Sequence, residues 1–114
     1  EEEVIRIALK LVEYQIDAIV ATNTTINRDS VSGLQFSVEE GGLSGPPVKK
    51  LSDTIIGCLS KEIGDEIPII GVGGINSASD ARDKLNLGAK LLQLYTGLIY
   101  KGPKLLKAIS KAYP

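Results

Sequence analysis

Ile67-Pro68-Ile69-Ile70-Gly71-Val72, running directly into Gly73-Gly74, is the stretch that decides the fold. It is rich in isoleucine and valine, too short for a buried helix, and closed by two glycines, which is how a fully buried parallel strand reads. Two other runs repeat the arrangement: Ala18–Ala21 leads into Thr22-Asn23-Thr24-Thr25, and Leu91–Leu94 leads into Tyr95-Thr96. Helical periodicity follows each of them, so the order after an opening helix is β-α-β-α-β-α. Parallel strands deliver the residues that follow them to one face of the sheet, where such folds hold their ligands. A single polar site built from three separate stretches is therefore expected.

The helices are marked by apolar stripes. Ile5, Ala8, Leu11 and Val12 repeat at helical spacing, as do Leu51, Ile55, Leu59 and Ile63, and each set is expected to lie against the sheet. Ser77 and Asp80 form a variant of the capping box, Gly88 offers a left-handed stop, and Ala78, Ala81 and Leu85 are the expected buried face between them. Gly102-Pro103 opens the last helix, whose stripe continues through Leu106 and Ile109. Cys58 falls on the apolar side of its helix and reads as a small buried hydrophobe.

Composition removes several functions. A chain of 114 residues that is 43% hydrophobic is long enough for one small globular domain. The net charge of −1 and pI near 5.4 give no footprint for nucleic acid or an anionic membrane. With no histidine, Ser-His and Cys-His catalysis and the common zinc sites are excluded, and no metal site is expected. One cysteine allows no disulfide framework. No apolar run approaches the roughly 18 residues of a membrane span, and the acidic Glu1-Glu2-Glu3 start lacks the basic region of a signal peptide, so this segment is expected to be soluble.

A helix first and only three strands are awkward for a complete α/β fold, since a (β/α)₈ barrel needs about 200 residues or more. The expectation is the end of something larger. Asn23 to Pro47 is also long for a connection, where about 2–6 residues is usual, and reads as an active-site loop.

Four motifs, in this order, carry a family resemblance: Ala21-Thr22-Asn23-Thr24-Thr25, Gly41-Gly42-Leu43-Ser44-Gly45, Pro68–Gly74, and Leu92-Gln93-Leu94-Tyr95-Thr96 followed by Lys101-Gly102-Pro103. Together they resemble the C-terminal part of the dihydroorotate dehydrogenase family over nearly the whole chain. The Leu-Tyr-Thr and Gly-Pro segments resemble the quinone-using class 2 enzymes rather than the soluble class 1 enzymes. Gly71–Gly74 alone is not a dinucleotide fingerprint, because Asn76 stands where the third glycine should be.

The resemblance implies an α/β fold, the C-terminal portion of a (β/α)₈ TIM barrel with three βα units and a preceding helix, residues 1–114 forming part of one FMN-binding domain. It implies oxidation of dihydroorotate to orotate in pyrimidine biosynthesis, with a quinone as acceptor. It also implies that the parent enzyme is peripheral on the inner (cytoplasmic or mitochondrial) membrane, through an N-terminal extension. Gly73, Gly74, Tyr95 and Thr96 would meet the flavin phosphate, Thr22 and Gly45 would also contact FMN, and Asn23 and Thr24 would face dihydroorotate or orotate. The serine base and the lysine set against the flavin lie outside this chain, and neither Ser44 nor Cys58 matches a catalytic-base position. Pro46 stands where many relatives have a basic residue. The fragment is expected to be inactive alone and, with an open sheet edge, to self-associate.

Blander readings stand beside these. Gly73-Gly74 reads equally as a tight turn, Asn23-Thr24-Thr25 as a strand end held by local side-chain bonds, and Gly41–Gly45 as a lid hinge. A non-redox phosphate-binding barrel synthase or isomerase would share the Gly73-Gly74 pocket, and a stand-alone association module is also compatible with the chain's size.

Overall fold

In the computed structural model, which describes residues 2–113, the chain runs α1 (Glu2–Glu13), β1 (Ile19–Ala21), α2 (Lys49–Ile63), β2 (Ile69–Val72), α3 (Ala78–Asn86), β3 (Ala89–Gln93), α4 (Thr96–Lys101) and α5 (Pro103–Ala112). Single 3₁₀ turns at Asp29–Val31 and Pro46–Val48 punctuate the long connection between β1 and α2. The sheet is wholly parallel in the order β1-β2-β3. Ala21 stands opposite Gly71, and Val72 opposite Gln93, so the three strands end nearly level. The expected β-α-β-α-β-α order and parallel sheet are found.

Boundaries moved for local reasons. Proline has no N–H for a ladder, and Pro68 serves only through its carbonyl, which accepts from the Ile19 amide at 3.0 Å. The second strand therefore starts at Ile69. The third starts at Ala89, directly after the Gly88 stop, and ends one residue before Leu94. The short α4 has no counterpart in the periodicity, since six residues cannot establish a 3.6-residue repeat.

One face of the sheet is covered and the other is open. Ala8 of α1 and Ile56, Leu59 and Ile63 of α2 close over Ile19, Ala21, Ile69 and Ala89. A second cluster of Ile75, Ala81, Leu105 and Ile109 ties α3 to α5. On the opposite face Val20 and Leu91 remain 56% and 57% exposed. The strands were expected to be buried on both faces; in this chain they are buried on one, because three strands cannot curl round to enclose the face that a closed barrel turns toward its axis.

Three stripes are corrected by a fraction of a turn. In α2 the buried positions are Ser52, Ile56, Leu59 and Ile63, while Leu51 is exposed and Ile55 and Cys58 are half-buried. In α3 they are Ala81 and Lys84, with Ala78 and Leu85 half-buried. In α5 Leu105 takes the core place expected for Leu106. The first two corrections have one cause: Ser52 and Lys84 hydrogen-bond to each other inside, and a polar residue so satisfied can occupy a stripe that hydrophobicity alone would deny it. The α3 cap is as expected. Ser77 Oγ accepts from the Asp80 amide at 3.1 Å, and Asp80 Oδ2 accepts from Ser77 Oγ and from the Asn76 amide.

Candidate functional site

The three strands deliver their following residues to one cleft of about 540 Å³. Thr22, Asn23 and Thr24 come from β1, Gly73 from β2, Gln93 and Tyr95 from β3, and Gly42 and Ser44 from the long loop. Val20, Val48 and Val72 give it apolar walls. A smaller recess shares Ser44, Gly73 and Tyr95 with this cleft and continues between Gly45, Gly74, Asn76 and Thr96. Every residue expected to face a ligand thus lines one or both of two adjoining spaces.

The loop is folded rather than slack. Thr25 and Leu43 exchange backbone hydrogen bonds at 3.0 and 2.7 Å, bringing residues 18 apart in sequence side by side. The Arg28 guanidinium donates to the carbonyl oxygens of Glu39, at 3.0 Å, and Gly41. Gly42 packs so closely on Thr24 that a Cβ there would fall within the threonine side chain. Farther on, Thr96 Oγ1 donates to Ser44 Oγ at 2.8 Å. Two hydroxyls carry two protons, and this bond uses one, so the pair retains one proton for a ligand.

The recess is suited to an anion. Among the described residues, the amides of Gly73, Gly74, Tyr95 and Thr96 donate to no protein acceptor, although all four residues line it. Among the described residues, no acidic side chain lines it. Unpaired N–H groups on residues that line a space without carboxylates favour negative charge. Gly74 has a further reason to be glycine: at φ +71° its Cβ would stand 2.6 Å from Lys49 Cα and 2.9 Å from Lys49 N. The turn lies directly on the first residue of α2, so its lack of a side chain serves packing, where the sequence suggested space for a ligand.

Asn23 makes the local bonds that its strand-end reading expected. Its Oδ1 accepts from the Thr24 amide at 2.8 Å and from Thr24 Oγ1 at 3.3 Å, the local bonds of a strand-end turn. It also lines the cleft, and its Nδ2 has no protein partner among the described residues, which leaves two N–H donors for a ligand.

A charged cluster behind the site was not foreseen. Lys84, fully buried, donates from Nζ to Ser52 Oγ and Asp53 Oδ1, both at 2.8 Å. Lys49 donates to the other oxygen of Asp53 at 2.7 Å and to Asp83 at 2.9 Å. Burial acts to raise the Asp53 pKa, but the hydrogen bonds from Lys49 and Lys84 outweigh it and hold the carboxyl below the ordinary aspartate value. Its bond to Asp53 raises Lys49 above the usual lysine range, against the opposing effect of desolvation. The available signal was spacing: Lys84 lies three residues after Ala81, and Ser52 four before Ile56, each on a buried stripe. Among the described residues no group of three or more Cys, Asp or Glu side chains is placed to hold a metal ion. No described helix is long and apolar enough to cross a membrane.

These residues fit a phosphate-bearing ring cofactor. The recess is lined by four residues with unpaired amides and by the Thr96–Ser44 hydroxyl pair, and the adjoining cleft has apolar walls beside Asn23. The fold is that of the C-terminal segment of a (β/α)₈ barrel, with a recess among the residues that follow its last two strands. The chain belongs to the dihydroorotate dehydrogenase family, whose model matches residues 1–113. It is 56% identical over 112 residues to a dihydroorotate dehydrogenase (quinone) of Shewanella sediminis, covering 98% of this chain and 33% of that protein. A relative of the same description from Janthinobacterium sp. is 51% identical over 111 residues, 97% of this chain and 32% of its own length. The crystal structure of a ligand-free DHODH from Eimeria tenella superposes with a TM-score of 0.90 at 33% identity, covering 98% of this chain and 31% of that one. The chain thus spans about a third of the length of the relatives it matches.

Proposed function

We propose that residues 1–114 are the C-terminal part of a single FMN-binding (β/α)₈ domain that oxidises dihydroorotate to orotate and passes the electrons to a quinone. The observation that carries this is the meeting, at the ends of three parallel strands, of an acid-free recess lined by four residues with unpaired amides and a cleft that presents Asn23. Relatives described as dihydroorotate dehydrogenase (quinone), more than 50% identical over nearly all of this chain, support the same reading.

The amides of Gly73, Gly74, Tyr95 and Thr96 hold the cofactor phosphate, with the spare hydroxyl proton of the Thr96–Ser44 pair as a further donor. Thr22, in the cleft, and Gly45, in the recess, would also contact the cofactor. FMN, when bound, would supply the redox chemistry between dihydroorotate and the quinone. Asn23, through its free Nδ2, and Thr24 orient the pyrimidine, whose alternating N–H and C=O edge and carboxylate need both donors and acceptors. The long loop, pinned by Arg28 and by the Thr25–Leu43 bridge, covers this end of the cleft and restricts water. None of the described side chains here is a proton acceptor for the substrate carbon; that role falls to a serine elsewhere in the whole enzyme. Because quinones dissolve in lipid, the whole enzyme works at a membrane surface.

Purified full-length protein should be yellow, should release FMN on denaturation, and should reduce a quinone with dihydroorotate as sole donor. A colourless protein that turns over a phosphorylated substrate without redox change would reject this reading in favour of a synthase or isomerase.

A further inference from the structure

We propose that Ser52 and Lys84 are positioning residues that set the Gly73-Gly74 turn, and with it the affinity for a ligand phosphate; this rests on the flavin-phosphate reading above. Both side chains are fully buried, and neither lines the cleft or the recess.

An ammonium group can only donate, so in its 2.8 Å contact with Lys84 Nζ the Ser52 oxygen must accept. The single hydroxyl proton of Ser52 is thereby directed elsewhere, and the acceptor in reach is the Val72 carbonyl at 2.6 Å. That carbonyl also accepts from the Thr22 amide at 3.1 Å. Its two lone pairs thus tie the end of β2 to two neighbours, the end of β1 on one side and α2 on the other.

Val72 immediately precedes Gly73, and α2 presses on the turn at both glycines. A Cβ on Gly73 would lie 3.1 Å from Ser52 Cβ and Oγ, and one on Gly74 would meet the Lys49 backbone. The plane of the Val72–Gly73 peptide fixes where the Gly73 amide points. Rotating that peptide breaks the Ser52 bond. A lysine with no exposed surface is costly to bury, and its hydrogen bonds go to this serine and to Asp53. Removing the serine hydroxyl leaves the Thr22 bond to Val72 intact, so the β1 end should hold while the glycine turn loosens.

The test compares two flavins that differ only in the phosphate. Apo full-length protein, wild type and Ser52→Ala, is titrated with FMN and with riboflavin. The expected result is an FMN dissociation constant raised about tenfold, the scale of one well-made hydrogen bond, with riboflavin changed less than twofold. Lys84→Met should move FMN in the same direction, because the serine proton is then no longer directed to Val72. Should Ser52→Ala fail to fold, Ser52→Cys, close in shape with a weaker donor, carries the same comparison. Equal changes for both flavins, or none, in a protein whose wild type holds FMN would overturn this inference alone. A wild type that binds neither flavin would overturn the flavin reading and this inference with it.

Discussion

Gly74→Ala adds one methyl group where two costs coincide. The backbone there has φ +71°, and holding an L-residue in the left-handed region costs about 1–2 kcal/mol. The new Cβ would also stand 2.6 Å from Lys49 Cα and 2.9 Å from Lys49 N, both backbone atoms of the first residue of α2. Backbone cannot rotate away as a side chain can, so the helix or the turn must shift, at about 1–3 kcal/mol for an overpacked site. The expected loss is about 2–5 kcal/mol, a large part of the ~5–15 kcal/mol that holds a typical domain together. Gly64→Ala separates the two costs, since Gly64 has φ +54° but nothing within 4 Å of its would-be Cβ; it should lose only the conformational part. Urea unfolding of both full-length variants, followed by circular dichroism and flavin release together, measures the difference. A Gly74→Ala midpoint no lower than that of Gly64→Ala would refute the contact argument.

Asp53→Asn should destabilise the protein by about 3–5 kcal/mol at neutral pH, because it removes the charge that compensates fully buried Lys84. The pH dependence has a definite sign. The Asp53 pKa is lower in the folded state than its unfolded value of about 3.9, so its contribution is complete above that value and is lost as pH falls through the folded pKa; denaturation midpoints measured below about pH 4 should therefore fall less steeply for the variant than for wild type. Asn23→Ala should keep its flavin and weaken orotate binding by about 1–3 kcal/mol, if it leaves one buried ligand group unpaired; isothermal titration would contradict this with an unchanged orotate affinity. The isolated chain, with Val20 and Leu91 exposed on an uncovered sheet face and with β1 and β3 both edge strands, should self-associate. Light scattering that returns a monodisperse monomer at high concentration would refute that. The same chain should show no dihydroorotate-dependent quinone reduction, and steady turnover by it would mean that the proton acceptor lies within these residues.

Local order was legible in the sequence because it depends on neighbours along the chain. Strand identity followed from short Ile- and Val-rich runs, the α3 cap from Ser77 and Asp80, and the gathering of Thr22, Asn23, Gly73 and Tyr95 from the rule that parallel strands share a direction. What the residue pattern left open was which way each helix is rolled. Leu51 and Leu106 have the right hydrophobicity for the core and are exposed, while Ser52 and Lys84 have the wrong hydrophobicity and are buried. A buried polar group is decided by its partner, and these partners lie 32 residues apart on different helices, at a spacing no periodicity encodes. The same holds for Gly74, whose need for a missing side chain comes from Lys49, and for Thr96 and Ser44, which meet only because the long loop closes on the end of β3. The sequence determined which residues could form the site; the tertiary structure decided what holds them there, because hydrogen bonds and close contacts are made in space between residues that the chain keeps far apart.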